Sequence, residues 1–182
     1  MRQARQITAI VALLAMMVLV TGCFKVEQAI DLRNPKEGVG LHMSLQVDKT
    51  YSGSELDLFV NVLHMTIPAI QDTAQFTRLE RKGPTGTWVV YEWRGNEKYP
   101  LEDMPFALVE NTDGTYDFQW TIPAMEGFSE QTESDTILLS VEVALPREID
   151  FANTMDTDGV SATWDLRKPD LAKGVRLRAM TF

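Results

Sequence analysis

One cysteine stands among the 182 residues, and Cys23 falls where a long apolar run ends. A lone thiol can be a nucleophile, a metal ligand or an acceptor for a covalent group. The other residues that could do chemistry are few. The chain has two histidines, His42 and His64. It has no G-x-S-x-G, no H-E-x-x-H and no Gly-rich phosphate loop. His42 occupies a polar position in a strand pattern and His64 lies in a helical pattern, and neither has a sequence-level partner for proton transfer. Asp156-Thr157-Asp158-Gly159 has some of the spacing of a calcium loop. Its first ligand would be Thr154 and its twelfth Asp165 in place of Glu, so hairpin chemistry at Asp-Gly explains it better. The expectation is a non-catalytic chain with no metal.

Upstream of Cys23, Arg2 and Arg5 are the only charges, and residues 7–20 are apolar except Thr8. A run of about 14 residues fits a secretory h-region and is short for a membrane span. Val20-Thr21-Gly22-Cys23 resembles the lipobox of bacterial lipoproteins. That resemblance implies cleavage before Cys23, diacylglycerol on its sulfur and an N-acyl chain on the new terminus. Residues 1–22 would then be the signal peptide and 23–182 a single domain anchored at Cys23. The covalent lipid would be the only non-protein group, with no other cofactor. Two or three acyl chains anchor stably where one does not. Phe24 follows the cysteine where an Asp would mark retention in the inner membrane of enteric bacteria. The expected location is therefore the cell membrane or outer membrane, facing outside the cytoplasm. An uncleaved signal anchor with an incidental cysteine is the alternative, and the length of the run and its flanks oppose it.

The elements that must carry any site follow directly. Phe24, Val26, Ile30 and Leu32 alternate with polar residues, Gln28 being the exception, so a strand begins with no spacer after Cys23. After the turn at residues 34–38, Val39, Leu41, Met43, Leu45 and Val47 alternate to complete a hairpin. Ser54-Glu55-Leu56-Asp57 has the form of a capping box, and the apolar positions after it predict a helix up to Pro68. Residues 76–82 and 87–94 flank Gly83-Pro84-Thr85-Gly86 as a second hairpin. Its strand Trp88-Val89-Val90-Tyr91 is apolar on both faces, which predicts cover on both. Residues 103–110 are expected to form a short helix. Strand faces follow at Tyr116, Phe118, Trp120 and Ile122, then Ile137 to Leu145 by twos, then Val160, Ala162, Trp164 and Leu166, and the last strand covers 175–182. The predicted class is α+β: a mostly antiparallel sheet built of hairpins with one main apolar helix packed on it.

Removal of the first 22 residues takes two positive charges from a chain whose net charge is −9. So acidic a domain gains little from phosphate counterion release, which argues against nucleic acid as a partner. The stretch from Gly22 to Gln46, with a strand, a Gly-containing turn and a second strand, resembles the LppM-like bacterial lipoproteins. So does Val141-x-Val143 leading to Pro146, then Asn153, Gly159 and Trp164. The resemblance implies an α+β domain with an apolar cavity, associated in some members with glycolipid.

Residue chemistry leads to the same kind of cavity. The helix carries more apolar surface than one sheet contact covers, which a cavity beneath it explains, with Leu56, Phe59, Val60 and Leu63 as candidate cavity residues. A two-layer domain in which the middle segment covers the helix's second face explains it equally. Tyr91 and Trp93, on the second face of a doubly apolar strand, join the candidate cavity residues. Near the end, Lys173, Arg176 and Arg178 stand in a basic segment of an acidic chain and are candidate headgroup contacts. A solvated edge strand protected by charge explains them equally. The expected function is a membrane-anchored envelope lipoprotein that binds a lipid or amphiphile, with a membrane partner through its anchor. The alternative is an anchored protein-protein interaction or structural module. A β-barrel ending on Phe182 is opposed by the solvated strand faces.

Overall fold

The computed structural model describes residues 24–48, 76–83, 86–95, 98–124 and 137–182. Among them, β1 (Phe24–Asp31) and β2 (Gly40–Asp48) form the expected first hairpin, and β3 (Thr77–Gly83) and β4 (Gly86–Arg94) the second. Then come β5 (Ala107–Glu110), β6 (Tyr116–Ile122), β7 (Ile137–Ala144), β8 (Ile149–Ala152), β9 (Asp156–Asp158) and β10 (Ser161–Arg167). A short helix, α1 (Lys168–Lys173), leads to β11 (Val175–Thr181). The strands make a seven-stranded sheet, β3-β4-β2-β1-β7-β10-β9, and a four-stranded sheet, β5-β6-β11-β8.

This corrects the expected α+β class. The described architecture is mostly β, and its single α-helix has six residues. The inner face of the large sheet is covered by the small sheet. Phe118, Trp120 and Ile122 of β6 and Leu177 and Ala179 of β11 enter one core with Ile30, Leu41, Val141 and Trp164 of the large sheet. Phe118 lies 6.1 Å from Trp164 across the two sheets, and 5.4 Å from Phe106. Alternating strands carry one apolar face each, and two such faces bury each other as well as a helix would. The segment predicted to be the main helix, residues 54–67, lies outside the described residues.

One smaller expectation also changes. Residues 103–110 do not form a helix; a 3-10 turn at Leu101–Asp103 precedes strand β5. Lys168-Pro169-Asp170-Leu171 is the body of α1. Proline suits a first helical turn, where its missing N–H costs nothing. Asp170 accepts the Arg167 backbone N–H at 2.8 Å, and Leu171 is fully buried.

β1 is the centre of the large sheet. It pairs antiparallel with β2, and parallel with β7 through Val26–Leu139 and Ile30–Val143. Strand alternation then sends Val26, Gln28 and Ile30 to the core and Glu27, Ala29 and Asp31 to the opposite face. On β4, Val89 and Trp93 face the core while Val90, on the other face, is fully buried, so both faces are covered as that strand's composition requires.

Candidate functional site

A concavity of about 500 Å³ opens on the face of the large sheet turned away from the small one. Its floor is made of small residues on neighbouring strands, Ala29, Gly40 and Ala144. Two rows of side chains cross it. In the first, Arg94 of β4 stands opposite His42 of β2, His42 opposite Ala29 of β1, and Ala29 opposite Glu142 of β7. In the second, Gly40 stands opposite Asp31, Asp31 opposite Ala144, and Ala144 opposite Ser161. Arg33 and Lys98 close the rim.

The bridge Val39–Tyr99 positions Lys98. The Val39 N–H donates to the Tyr99 carbonyl at 2.8 Å and the Tyr99 N–H returns to Val39 at 2.9 Å. Gly38 makes this approach possible. Its φ is +103°, and a Cβ there would stand 2.6 Å from the Tyr99 carbonyl oxygen. Lys98 Nζ thereby reaches Asp31 Oδ2 at 3.5 Å. Arg33 donates from Nε and Nη2 to the two Asp31 oxygens, both at 2.9 Å. The Arg33 hydrogen bonds hold the Asp31 carboxyl far below the usual range against its partial burial, and Lys98 adds to the effect.

Elsewhere on this face polar groups are paired. Ser44 donates to Glu27 at 3.2 Å, Lys25 meets Glu27 at 2.9 Å, and Ser140 donates to Asp165 at 2.6 Å. Burial pushes the Glu27 carboxyl up, but Lys25 and the hydrogen bonds from Ser44 and Gln46 outweigh it and leave it lowered. Arg94, His42 and Glu142 differ: no side-chain hydrogen bond or ion pair joins them to another described residue. Among the described residues no group of three His, Cys, Asp or Glu side chains is placed to hold a metal ion.

The residues singled out by sequence are dispersed. Cys23, His64, Leu56, Phe59, Val60 and Leu63 lie outside the described residues. Tyr91 and Trp93 are on the core face of β4, opposite Leu45 and Met43. Trp93 is 4% exposed and 6.3 Å from Tyr99, and Tyr91 packs half-buried on the same core. Lys173 ends α1. Arg176 and Arg178 share the outer face of the small sheet, as the alternation predicts. Arg178 donates from Nε and Nη2 to Asp117 at 3.2 and 3.1 Å, and Arg176 donates to Gln119. Burial raises the Asp117 carboxyl, but Arg178 and Gln119 more than offset it, so its pKa is lowered.

Sequence reasoning missed the concavity. In the sequence His42 is one polar position of a strand pattern, and nothing distinguishes Arg94, Lys98 or Glu142 from other charged residues. The only signal was small residues at Ala29, Gly40 and Ala144 on otherwise polar faces. That signal gains meaning only when β1 is known to pair with β7, more than a hundred residues later.

No protein-family model matches the chain, and no curated protein matches it in sequence. Among solved structures, it is similar to the NMR structure of the folded domain of LppM from Mycobacterium tuberculosis. The identity is 10%, the match covers 87% of this chain and 88% of that one, and the TM-score is 0.47. This is a loose likeness of shape, and membership of that family does not follow from it. No described helix is long and apolar enough to cross a membrane.

Proposed function

We propose that the chain is a lipid-anchored, non-catalytic module of the cell envelope that binds a lipid or other amphiphile beside the membrane holding it. One observation carries the reading: β1 begins at Phe24, the residue after the acceptor cysteine of the lipobox-like sequence, and is the central strand of the large sheet. A tether without a spacer suits a domain whose ligand is in or at the same leaflet; a distant target calls for a linker. Labelled palmitate should enter the wild-type chain, and Cys23→Ser should shift it from the membrane pellet to the soluble fraction. Lipid extraction and mass spectrometry of the purified protein should return a stoichiometric amphiphile. Unchanged pelleting of the Ser variant counts against the anchor, and a lipid-free protein counts against the ligand.

A second reading, an anchored protein-interaction module, is favoured by a different surface. Val109, Asp117, Met180 and Phe151 stand side by side across the outer face of the small sheet. Val109 and Phe151 are 51% and 48% exposed, and β5 and β8 are the outermost strands of that sheet among the described residues. Phe151→Asp should abolish capture of an envelope partner under this reading and leave amphiphile content unchanged under the first.

A further inference from the structure

We propose that the concavity over Ala29 is a binding site for a small zwitterion, its phosphate or carboxylate held by Arg94 and His42 and its ammonium by Glu142. This goes beyond the amphiphile reading and does not depend on the anchor.

Three observations converge. First, charge is separated across the concavity. Arg94 and His42 come from β4 and β2, Glu142 from β7, and only the methyl of Ala29 stands between His42 and Glu142 in the row. His42 and Glu142 are two strand spacings apart, about 10 Å between backbones, so side chains leaning inward leave room for a few-atom ligand. Second, the remaining charges gather on one carboxylate, two cations to one anion, and leave one positive charge over. Asp31 accepts from Arg33 and lies beside Lys98, so it does not cancel Arg94. Third, Arg94, His42 and Glu142 are the charged or titratable side chains in the concavity without a partner among the described residues, while their neighbours on the same face are paired. A purely anionic ligand would leave Glu142 opposed to it, and a purely cationic one would face Arg94. A ligand carrying both charges satisfies both sides, and the guanidinium fork suits phosphate or carboxylate. Ser161 adds a hydroxyl at the rim.

The concavity lies toward the Asp31 end of β1, five to seven residues past Phe24, roughly 17–23 Å along the strand. The chemistry is shared by a free zwitterion in the aqueous phase and a zwitterionic lipid headgroup.

Calorimetric titration of the full mature chain in detergent micelles tests the proposal, with phosphoethanolamine, glycerol phosphate (anion alone) and ethanolamine (cation alone) as probes. Phosphoethanolamine should bind at least about tenfold tighter than either half, the size of one charge-assisted hydrogen bond. Glu142→Gln should remove its advantage over glycerol phosphate. Arg94→Gln should weaken both phosphate-bearing probes about tenfold. Both side chains are at the surface, and unchanged thermal melting of each variant shows that folding is intact. Binding of either half as tight as that of phosphoethanolamine, an advantage that survives in Glu142→Gln, or no binding of phosphoethanolamine at millimolar concentration overturns the proposal. Dihexanoyl phosphatidylethanolamine then separates the sources: binding as tight as phosphoethanolamine's assigns a lipid headgroup, and exclusion assigns a free zwitterion. None of these outcomes turns on whether Cys23 is acylated or an acyl chain co-purifies.

Discussion

The indole N–H of Trp164 donates to Asn153 Oδ1 at 3.0 Å, and this bond joins the two sheets. Trp164 belongs to β10 of the large sheet. Asn153 follows β8 of the small one, where the chain crosses over toward β9. The same Oδ1 accepts the Arg178 backbone N–H at 2.8 Å, and Asn153 Nδ2 donates to the Arg176 carbonyl at 2.6 Å. One amide side chain thus ties β10 to β11.

Asn153→Ala should cost about 3 kcal/mol, because it leaves the nearly buried Trp164 N–H without an acceptor and releases β11 at two points. Asn153→Asp keeps the acceptor and should cost about 1 kcal/mol. Urea denaturation of both, with Trp164→Phe to close a double-mutant cycle, measures the coupling. A coupling near zero would mean that the corner is held by packing alone.

Stability should fall in acid through identified groups. Asp31 and Asp117 have pKa values lowered in the folded state, chiefly by Arg33 for the first and by Arg178 against burial for the second. A depressed folded pKa contributes stability that is present above the unfolded value, about 3.9, and is lost as pH falls through the folded value. Through these groups the melting temperature should therefore be insensitive to pH near neutrality and drop below about pH 4. Asp117→Asn and Asp31→Asn should each lower it at neutral pH and make the acid limb shallower. An unchanged acid limb in the double variant would assign acid unfolding elsewhere.

Gly38→Ala should damage both stability and site. The left-handed backbone costs about 1 kcal/mol for alanine, and its Cβ meets the Tyr99 carbonyl oxygen, so the Val39–Tyr99 bridge must open. Lys98 would then leave Asp31. Faster amide exchange at Tyr99, with a total loss of about 2–3 kcal/mol, is the expected result. Gly159, also at positive φ, has nothing within 4 Å of a built Cβ, so Gly159→Ala should lose only the backbone part.

Phe118→Ala should be the most damaging of these changes, about 4 kcal/mol, since Phe118 is fully buried between Phe106 and Trp164. Phe118→Leu should retain most of the contact and cost about 1–2 kcal/mol. Guanidinium unfolding followed by tryptophan fluorescence measures both.

The strands were legible because alternation is local. The first hairpin, the run from Ile137 and the inward face of Trp164 are all readable within ten residues. What covers them was not. An apolar strand face asks for a partner without naming one, and the capping box and apolar positions at residues 54–67 made a helix the natural choice. The second sheet that does cover the core gathers β5, β6, β8 and β11 from across the last eighty residues, and no local pattern records that. Residues 103–110 misled for a simpler reason: Leu108 alone in β5 pairs inward, opposite Phe118, and a four-residue edge strand has almost no period to read. The concavity failed to appear for the same reason as the second sheet, since Arg94, Ala29 and Glu142 become neighbours only through β2–β4 and β1–β7 pairing.

The parallel seam between β1 and β7 sets a timetable for maturation. Val26 waits for Leu139, 113 positions further on, before its second edge is closed. Until then the segment nearest the acyl-acceptor position displays an open strand border, ready to template a neighbouring copy. If the chain is tethered as proposed, many such unfinished molecules would share one leaflet at high local density. Secretion stalled short of residue 137 should therefore produce clustering or degradation rather than a smaller working domain.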